Sequence, residues 1–174
     1  MWEKPTTGSS GFEERLRTLR ESFDLAATRP VEYGRRDLTG YLLFRVGRET
    51  FAWPTASLRE IVINRKIVPA PGGLKGVHGV INYRNEVLAV INLHFRLKQP
   101  PFQPGTENIL LITKGLRTDA ALLVDRLIDA RKLADREIKA KPLSLDSETA
   151  RMIAGEFLHE GEMATLLQPE SISG

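Results

Sequence analysis

Residue types able to carry acid–base or metal chemistry are thinly spread along this chain. Its three histidines, His78, His94 and His159, fall on separate segments, and none stands four residues from another. Metal and proton-transfer sites draw such residues together, so a structural or surface role is expected of each. Glu86, Asp125, Asp129, Glu160 and Glu162 fall near turns or strand ends, where solvated carboxylates are usual. Sequence supplies none of the fixed spatial separation that a glycoside-cleaving pair requires. The chain has no Gly-x-Ser-x-Gly elbow, Walker A loop or Rossmann fingerprint. Gly72-Gly73-Leu74-Lys75-Gly76 lacks the Gly-Lys-Ser/Thr ending of a phosphate loop, and no helical pattern follows it. With no cysteine, thiolate nucleophiles, disulfides and Cys-ligated metals are excluded. Arg84 remains, placed as if for recognition. It lies in Asn82-Tyr83-Arg84-Asn85, between the apolar runs Val77 to Ile81 and Val87 to Leu93. Those β-branched runs predict two strands, and asparagine tolerates the left-handed backbone of a tight turn. A guanidinium on so stiff a frame suits a carboxylate or a partner's polar surface.

The elements around it are mostly short strands. Tyr41 to Val46 alternates with period two, Gly47-Arg48-Glu49 is a turn, and Phe51-Ala52-Trp53 is a return strand ended by Pro54. Thr55 to Glu60 predicts a short helical turn with Leu58 and Ile61 inward, before a strand at Ile61 to Ile63. Asn108 to Thr113 and Ala120 to Val124 predict paired strands, and Asp125 to Asp129 either continues the second or bends from it. Ser147 to Ala154 predicts a short helix capped by its serine. Glu160-Gly161-Glu162 predicts a hairpin turn between Phe157 to His159 and Met163 to Leu167. Strands with turn signals this frequent predict a β-barrel or sandwich. No internal repeat at a fixed period is visible.

The first 38 residues differ in character. Ser10 and Glu13 form a capping box, and Phe12, Leu16, Leu19 and Phe23 share one face of a helix expected over 11–28. That face either packs on its own domain or binds a partner. Pro30 stops the helix, and a linker comes after it. The expected organisation is therefore a tail, helix and linker over 1–38 and a strand-rich domain over 39–174.

The charge excludes more than it suggests. The 25 basic and 22 acidic side chains are interleaved, leaving a net charge of +3. Arg35-Arg36, Arg65-Lys66 and Lys139-Ala140-Lys141 are too scattered to make the basic stripe of a nucleic-acid binder. No apolar run approaches the ~20 residues of a spanning helix, and the N-terminus lacks a signal-peptide pattern. A cytoplasmic protein without membrane insertion is expected.

The chain resembles the CheW family of chemotaxis adaptors. The resemblance is carried by Leu58-Arg59-Glu60-Ile61, by Leu74 through Leu93 with Lys75-Gly76-Val77 and Asn82-Tyr83-Arg84-Asn85 at its centre, by Ala121-Leu122-Leu123-Val124-Asp125, and by Met163 to Leu167. It covers about 40–172. It implies a mainly all-β fold of two intertwined five-stranded SH3-like barrels with an apolar seam, plus the N-terminal helix and the short helix in the C-terminal half. It implies a non-enzymatic adaptor, without cofactor or metal, that couples a chemoreceptor's cytoplasmic tip to the regulatory domain of a CheA-type histidine kinase at receptor arrays under the inner membrane. By position it assigns Leu58, Glu60, Gly79 and Arg84 to receptor contact, and places Leu123, Val124 and Asp125 near the seam, as kinase-contacting or groove-lining residues. A groove between the barrels would receive the receptor's helical tip. The chain departs from the family pattern at Tyr83 for Leu, Asn85 for Gly and Asn92 for Asp, and His78 looks inserted before Gly79.

The alternative is a small barrel binding nucleic acid or a small ligand. Aromatic residues are only 7% of the chain, and Trp2 and Trp53 lie outside the hairpin, which counts against it. A hydrolase-like enzyme has no supporting constellation.

Overall fold

A computed structural model describes residues 17–21, 38–70, 72–101, 107–114, 119–141 and 146–172. Alternating and β-branched runs form ten strands among them. In order they are β1 (Leu38–Val46), β2 (Glu49–Pro54), β3 (Leu58–Ile63), β4 (Val77–Tyr83), β5 (Glu86–Asn92), β6 (Ile109–Thr113), β7 (Ala120–Val124), β8 (Arg126–Ala134), β9 (Ile153–His159) and β10 (Glu162–Leu167). They make two five-stranded sheets, ordered β8-β1-β2-β10-β9 and β3-β6-β7-β5-β4. Short helices accompany them: α1 (Leu93–Arg96), α2 (Ser147–Met152) and α3 (Pro169–Ile172).

The chain changes sheet twice. The 3-10 turn Thr55–Ser57 carries it from β2 into β3. It is shorter than the helical turn expected there, because Leu58, Arg59 and Glu60 already belong to the strand. Asp125 carries it from β7 into β8 and so bends the chain away. Its N–H donates to the Arg45 carbonyl at 3.0 Å, and its carboxylate accepts from the Gly47 N–H at 2.7 Å. The same carboxylate meets His94 Nε2 at 2.8 Å, while His94 Nδ1 faces the Pro100 carbonyl. Both ring nitrogens of this buried histidine are thus engaged in holding the crossover.

Three apolar clusters stabilise the fold. One lies within each sheet: Leu43, Ala52, Phe157 and Leu166 in the first, and Ile81, Val90, Leu110 and Leu123 in the second. The third joins them, with Phe44, Phe51 and Trp53 from the first sheet against Leu58, Ile61, Leu111 and Val124 from the second. Each buried large apolar side chain contributes about 1.5–3 kcal/mol. The expected apolar seam is therefore present, and side chains from both sheets fill it. The centre of the seam is filled core, and an open cleft of about 450 Å³ borders it at Phe51, Leu97 and Ile153, with Glu49, Lys98 and Asp146 among its other lining residues.

The two sheets repeat one plan. Each has an antiparallel pair, β1-β2 or β6-β7. A third strand, β8 or β3, flanks the first member, and a hairpin, β9-β10 or β4-β5, joins the second member in parallel. The chain leaving β3 bridges to β4 through Val68 and Val80, and the chain leaving β8 bridges to β9 through Lys139 and Glu156. Each bridge draws opposite edges of its sheet together. A repeat in space exists, then, although none is visible in the sequence.

Small local differences have simple causes. Asp146, not Ser147, caps α2, accepting from the Thr149 N–H at 3.0 Å. The helix ends at Met152 because β9 begins at Ile153. Leu93 and His94 form the turn of α1 rather than a strand end, because the Asn92 side chain accepts from the Phe95 N–H at 3.1 Å. Asparagine and aspartate are equivalent caps, so the exchange of Asp for Asn at 92 keeps this function. Of the helix expected over 11–28, residues 17–21 are helical, and Phe12, Leu16 and Phe23 lie outside the described residues.

Candidate functional site

The β4-β5 hairpin closes through two residues, Arg84 and Asn85, with Tyr83 paired to Glu86. The turn is thus tighter than the four-residue one expected. Its φ values of 50° and 68° are those of a type I′ turn, whose twist matches the strands it joins. Asn85 accepts this geometry readily, and its N–H donates to Asn82 Oδ1 at 3.2 Å. Arg84 adopts it at a cost of about 1–2 kcal/mol, because its Cβ crowds the backbone there.

Glu60 organises the tip. Its Oε2 accepts the Tyr83 hydroxyl at 2.6 Å and Arg84 Nη2 at 2.9 Å. The guanidinium also lies 5.2 Å from the centroid of the Tyr83 ring. Burial first, and then the hydrogen bond to Glu60, push the Tyr83 hydroxyl above its usual range, so it stays protonated and donates. Tyr83 is buried, while the side chains of Glu60 and Arg84 are 35% and 75% exposed. An ion pair so open to water adds only about 0–1 kcal/mol. This does not outweigh the backbone strain at Arg84.

Bulges aim these side chains. Leu58 pairs with Thr113 and Glu60 with Ile112, so Arg59 is an extra residue in β3. A bulge of this kind re-aims the side chains beyond it. Arg59 Nη1 reaches Asp119 Oδ2 at 2.5 Å, giving a second ion pair on the same strand. His78 is likewise extra in β4, between Val77 paired to Ile91 and Gly79 paired to Val90. Its inserted look in the sequence is thereby accounted for.

The residues singled out from sequence separate into two groups. Glu60 and Arg84 meet at the surface, 2.9 Å apart. Leu58 is buried in the seam. Gly79 is buried beneath Val68, and a Cβ there would lie 2.5 Å from the Val68 carbonyl oxygen. Its role in the fold is to admit that crossing chain. Leu123 and Val124, 0% and 1% exposed, belong to two different cores, so their side chains line no open groove. Asp125 holds the crossover described above. Leu19 is partly buried within the helical residues 17–21. Sequence reasoning missed Tyr83 as a site residue. The available signal was an aromatic hydroxyl beside the arginine, where the family pattern has leucine. Among the described residues no cluster of histidine and carboxylate side chains could hold a metal, and no helix is long and apolar enough to cross a membrane.

Comparison with known proteins places this geometry. A family model described as CheW-like domain matches residues 40–174. The chain is 29% identical over 147 residues to the chemotaxis protein CheW of Rhizobium meliloti, covering 84% of this chain and 92% of that protein. It is 23% identical over 120 residues to the chemotaxis protein CheW of Treponema pallidum, covering 67% and 68%. Its fold resembles that of the scaffolding protein TtCheW from Thermoanaerobacter tengcongensis, with a TM-score of 0.70 at 18% identity, over 78% of this chain and 92% of that one. The two sheets, their shared seam and the match over 40–174 lead to one conclusion: the chain belongs to the CheW-like family.

Proposed function

We propose that this chain is a non-enzymatic scaffold of chemotaxis signalling, which joins a chemoreceptor's cytoplasmic tip to the regulatory domain of a CheA-type histidine kinase. Family membership and the names of its relatives support the chemotaxis setting. The observation that carries the receptor assignment is the tip itself. A strained turn holds Arg84 three-quarters exposed, while Glu60 and the Tyr83 hydroxyl limit where its guanidinium can go. A charge held in advance loses less freedom on binding and fixes register on a partner. Leu58 and Gly79 support the site from inside, by packing the seam and admitting the crossing chain. The kinase binds elsewhere on the domain, with Asp125 keeping the two sheets in register. The complex forms in the cytoplasm, at receptor arrays beneath the inner membrane.

The test is calorimetric titration of the full chain with a soluble chemoreceptor cytoplasmic fragment and, separately, with a CheA regulatory domain. Arg84→Glu should weaken receptor binding about tenfold or more, as loss of a central interface charge does. Kinase binding and melting temperature should hold. Unchanged receptor affinity would reject the assignment.

A further inference from the structure

The edge of β3 beside this tip carries a second feature, contributed by residues outside the CheW-like match. β3 is the outermost strand of its sheet. The Asn64 N–H donates to the Asn108 carbonyl at 2.9 Å, and Val62 and Glu60 pair opposite Leu110 and Ile112. Backbone groups alternate in direction along an antiparallel strand, so Ile61 turns its own N–H and carbonyl away from β6. An outward edge of this kind is a template for another chain unless something covers it. Here Arg20 Nη2 donates to the Ile61 carbonyl at 2.5 Å. Arg20 comes from helical residues 17–21, in which Leu19 is partly buried while Arg17, Thr18, Arg20 and Glu21 are exposed. One residue of the segment therefore turns inward, and the next anchors the segment on the strand. The anchored carbonyl directly follows Glu60, the carboxylate that organises the tip.

We propose that residues 17–21 are an intramolecular cover for the β3 edge, and that a receptor reaching Glu60 must displace Arg20. The competition rests on the reading of the Glu60–Arg84 tip as the receptor site; the docking does not. The bond Arg20 makes lies one residue along the chain from Glu60, the carboxylate a partner would engage. The affinity seen by a partner falls by the fraction of molecules in which the cover is closed.

The test uses the full chain carrying Arg20→Ala, with Arg20→Lys as the conservative control. Amide NMR spectra report docking: Arg20→Ala should shift the Val62 amide, which shares a peptide group with the Ile61 carbonyl, and Arg20→Lys should shift it less. Titration with the chemoreceptor cytoplasmic fragment reports competition: Arg20→Ala should bind about three- to tenfold tighter. An unmoved Val62 amide overturns the docking. A shifted amide with unchanged affinity overturns the competition, and so does weaker binding, which would make residues 17–21 part of the interface. Receptor binding that survives Arg84→Glu removes the tip reading and the competition together, leaving the amide shift to decide docking alone.

Discussion

The two hairpin tips share a backbone and differ in chemistry. β4-β5 turns through Arg84 and Asn85, β9-β10 through Glu160 and Gly161, and all four residues have positive φ, from 49° to 85°. Both hairpins begin with a bulge, at His78 and at Ala154, followed at once by a glycine under a crossing chain. The flanking strands match too, with Arg59 extra in β3 and Ile128 extra in β8. Backbone strain alone therefore marks neither tip, since Glu160 is held as Arg84 is. The difference lies in the partners. At the first tip an acidic residue of β3, Glu60, holds a basic turn residue and a tyrosine. At the second, a basic residue of β8, Arg131, reaches His159 at 3.2 Å, and the turn residue is acidic. One architecture thus presents opposite charges at its two tips, through Arg84 at the first and Glu160 at the second. The approaches differ as well. β9 is entered through the capped helix α2, whereas β4 is entered through Gly72, Gly73 and Gly76, all at positive φ.

The largest test of this equivalence falls on the buried glycines. A Cβ at Gly79 would lie 2.5 Å from the Val68 carbonyl oxygen, and one at Gly155 2.6 Å from that of Lys139. Gly79→Val and Gly155→Val should each lower stability in urea unfolding by about 1–3 kcal/mol, the usual cost of forcing side-chain atoms into packed space. A large loss at one site with none at the other would break the equivalence. Tyr83→Phe comes next. It removes the hydroxyl from Glu60, and losing a hydrogen bond to a charged group should cost about 1.5–3 kcal/mol, less where water replaces the donor. The same substitution should broaden the Arg84 side-chain signals in NMR; sharp, unshifted signals would show that Tyr83 has no part in holding it. A smaller change of opposite sign is expected of Arg84→Asn. Asparagine suits the left-handed turn, so the melting temperature should hold or rise by about 1 kcal/mol's worth of relieved strain, while receptor binding falls.

The smallest effect sharpens the contrast between the two approaches. The hydrogen bond from Lys98, and then those from the Thr149 N–H and hydroxyl, hold the Asp146 carboxyl well below its usual 3.8. A carboxylate lowered in this way contributes its stability above the unfolded value and loses it as the pH falls through the folded one. Asp146→Asn keeps a capping side chain but not the ion pair. Its melting temperature should lie slightly below the parent's at pH 7, and the gap should narrow progressively as the pH falls from about 4 toward the lower folded value. A gap that persists in acid would show that Lys98 contributes nothing.

Much of the fold was legible because its signals are local. Alternation located β1, apolar or β-branched runs bounded by turn signals located β2, β4, β5, β6, β7 and β10, and the asparagines of the central hairpin marked its turn. The resemblance carried the double architecture and brought Glu60 and Arg84 under one heading. It could not separate surface from interior: Leu58, Gly79, Leu123 and Val124 matched by position, yet their side chains or Cα atoms are buried. The spatial repeat was hidden because one sheet is continuous in sequence, from β3 to β7, while the other is assembled from both ends, β1-β2 with β8-β9-β10. No fixed period survives such a permutation.

By itself, the sequence determined most of the strands, the place of the central turn and the residue at its tip. Each of these depends on side-chain alternation and on backbone preferences within a few residues. Only the tertiary structure decided that Arg59 and His78 are bulges, that Asp125 is a crossover, and that Glu60 meets both Tyr83 and Arg84. A bulge reverses which face the residues beyond it occupy. Whether it forms is settled by packing against strands distant in the chain, which no local pattern encodes.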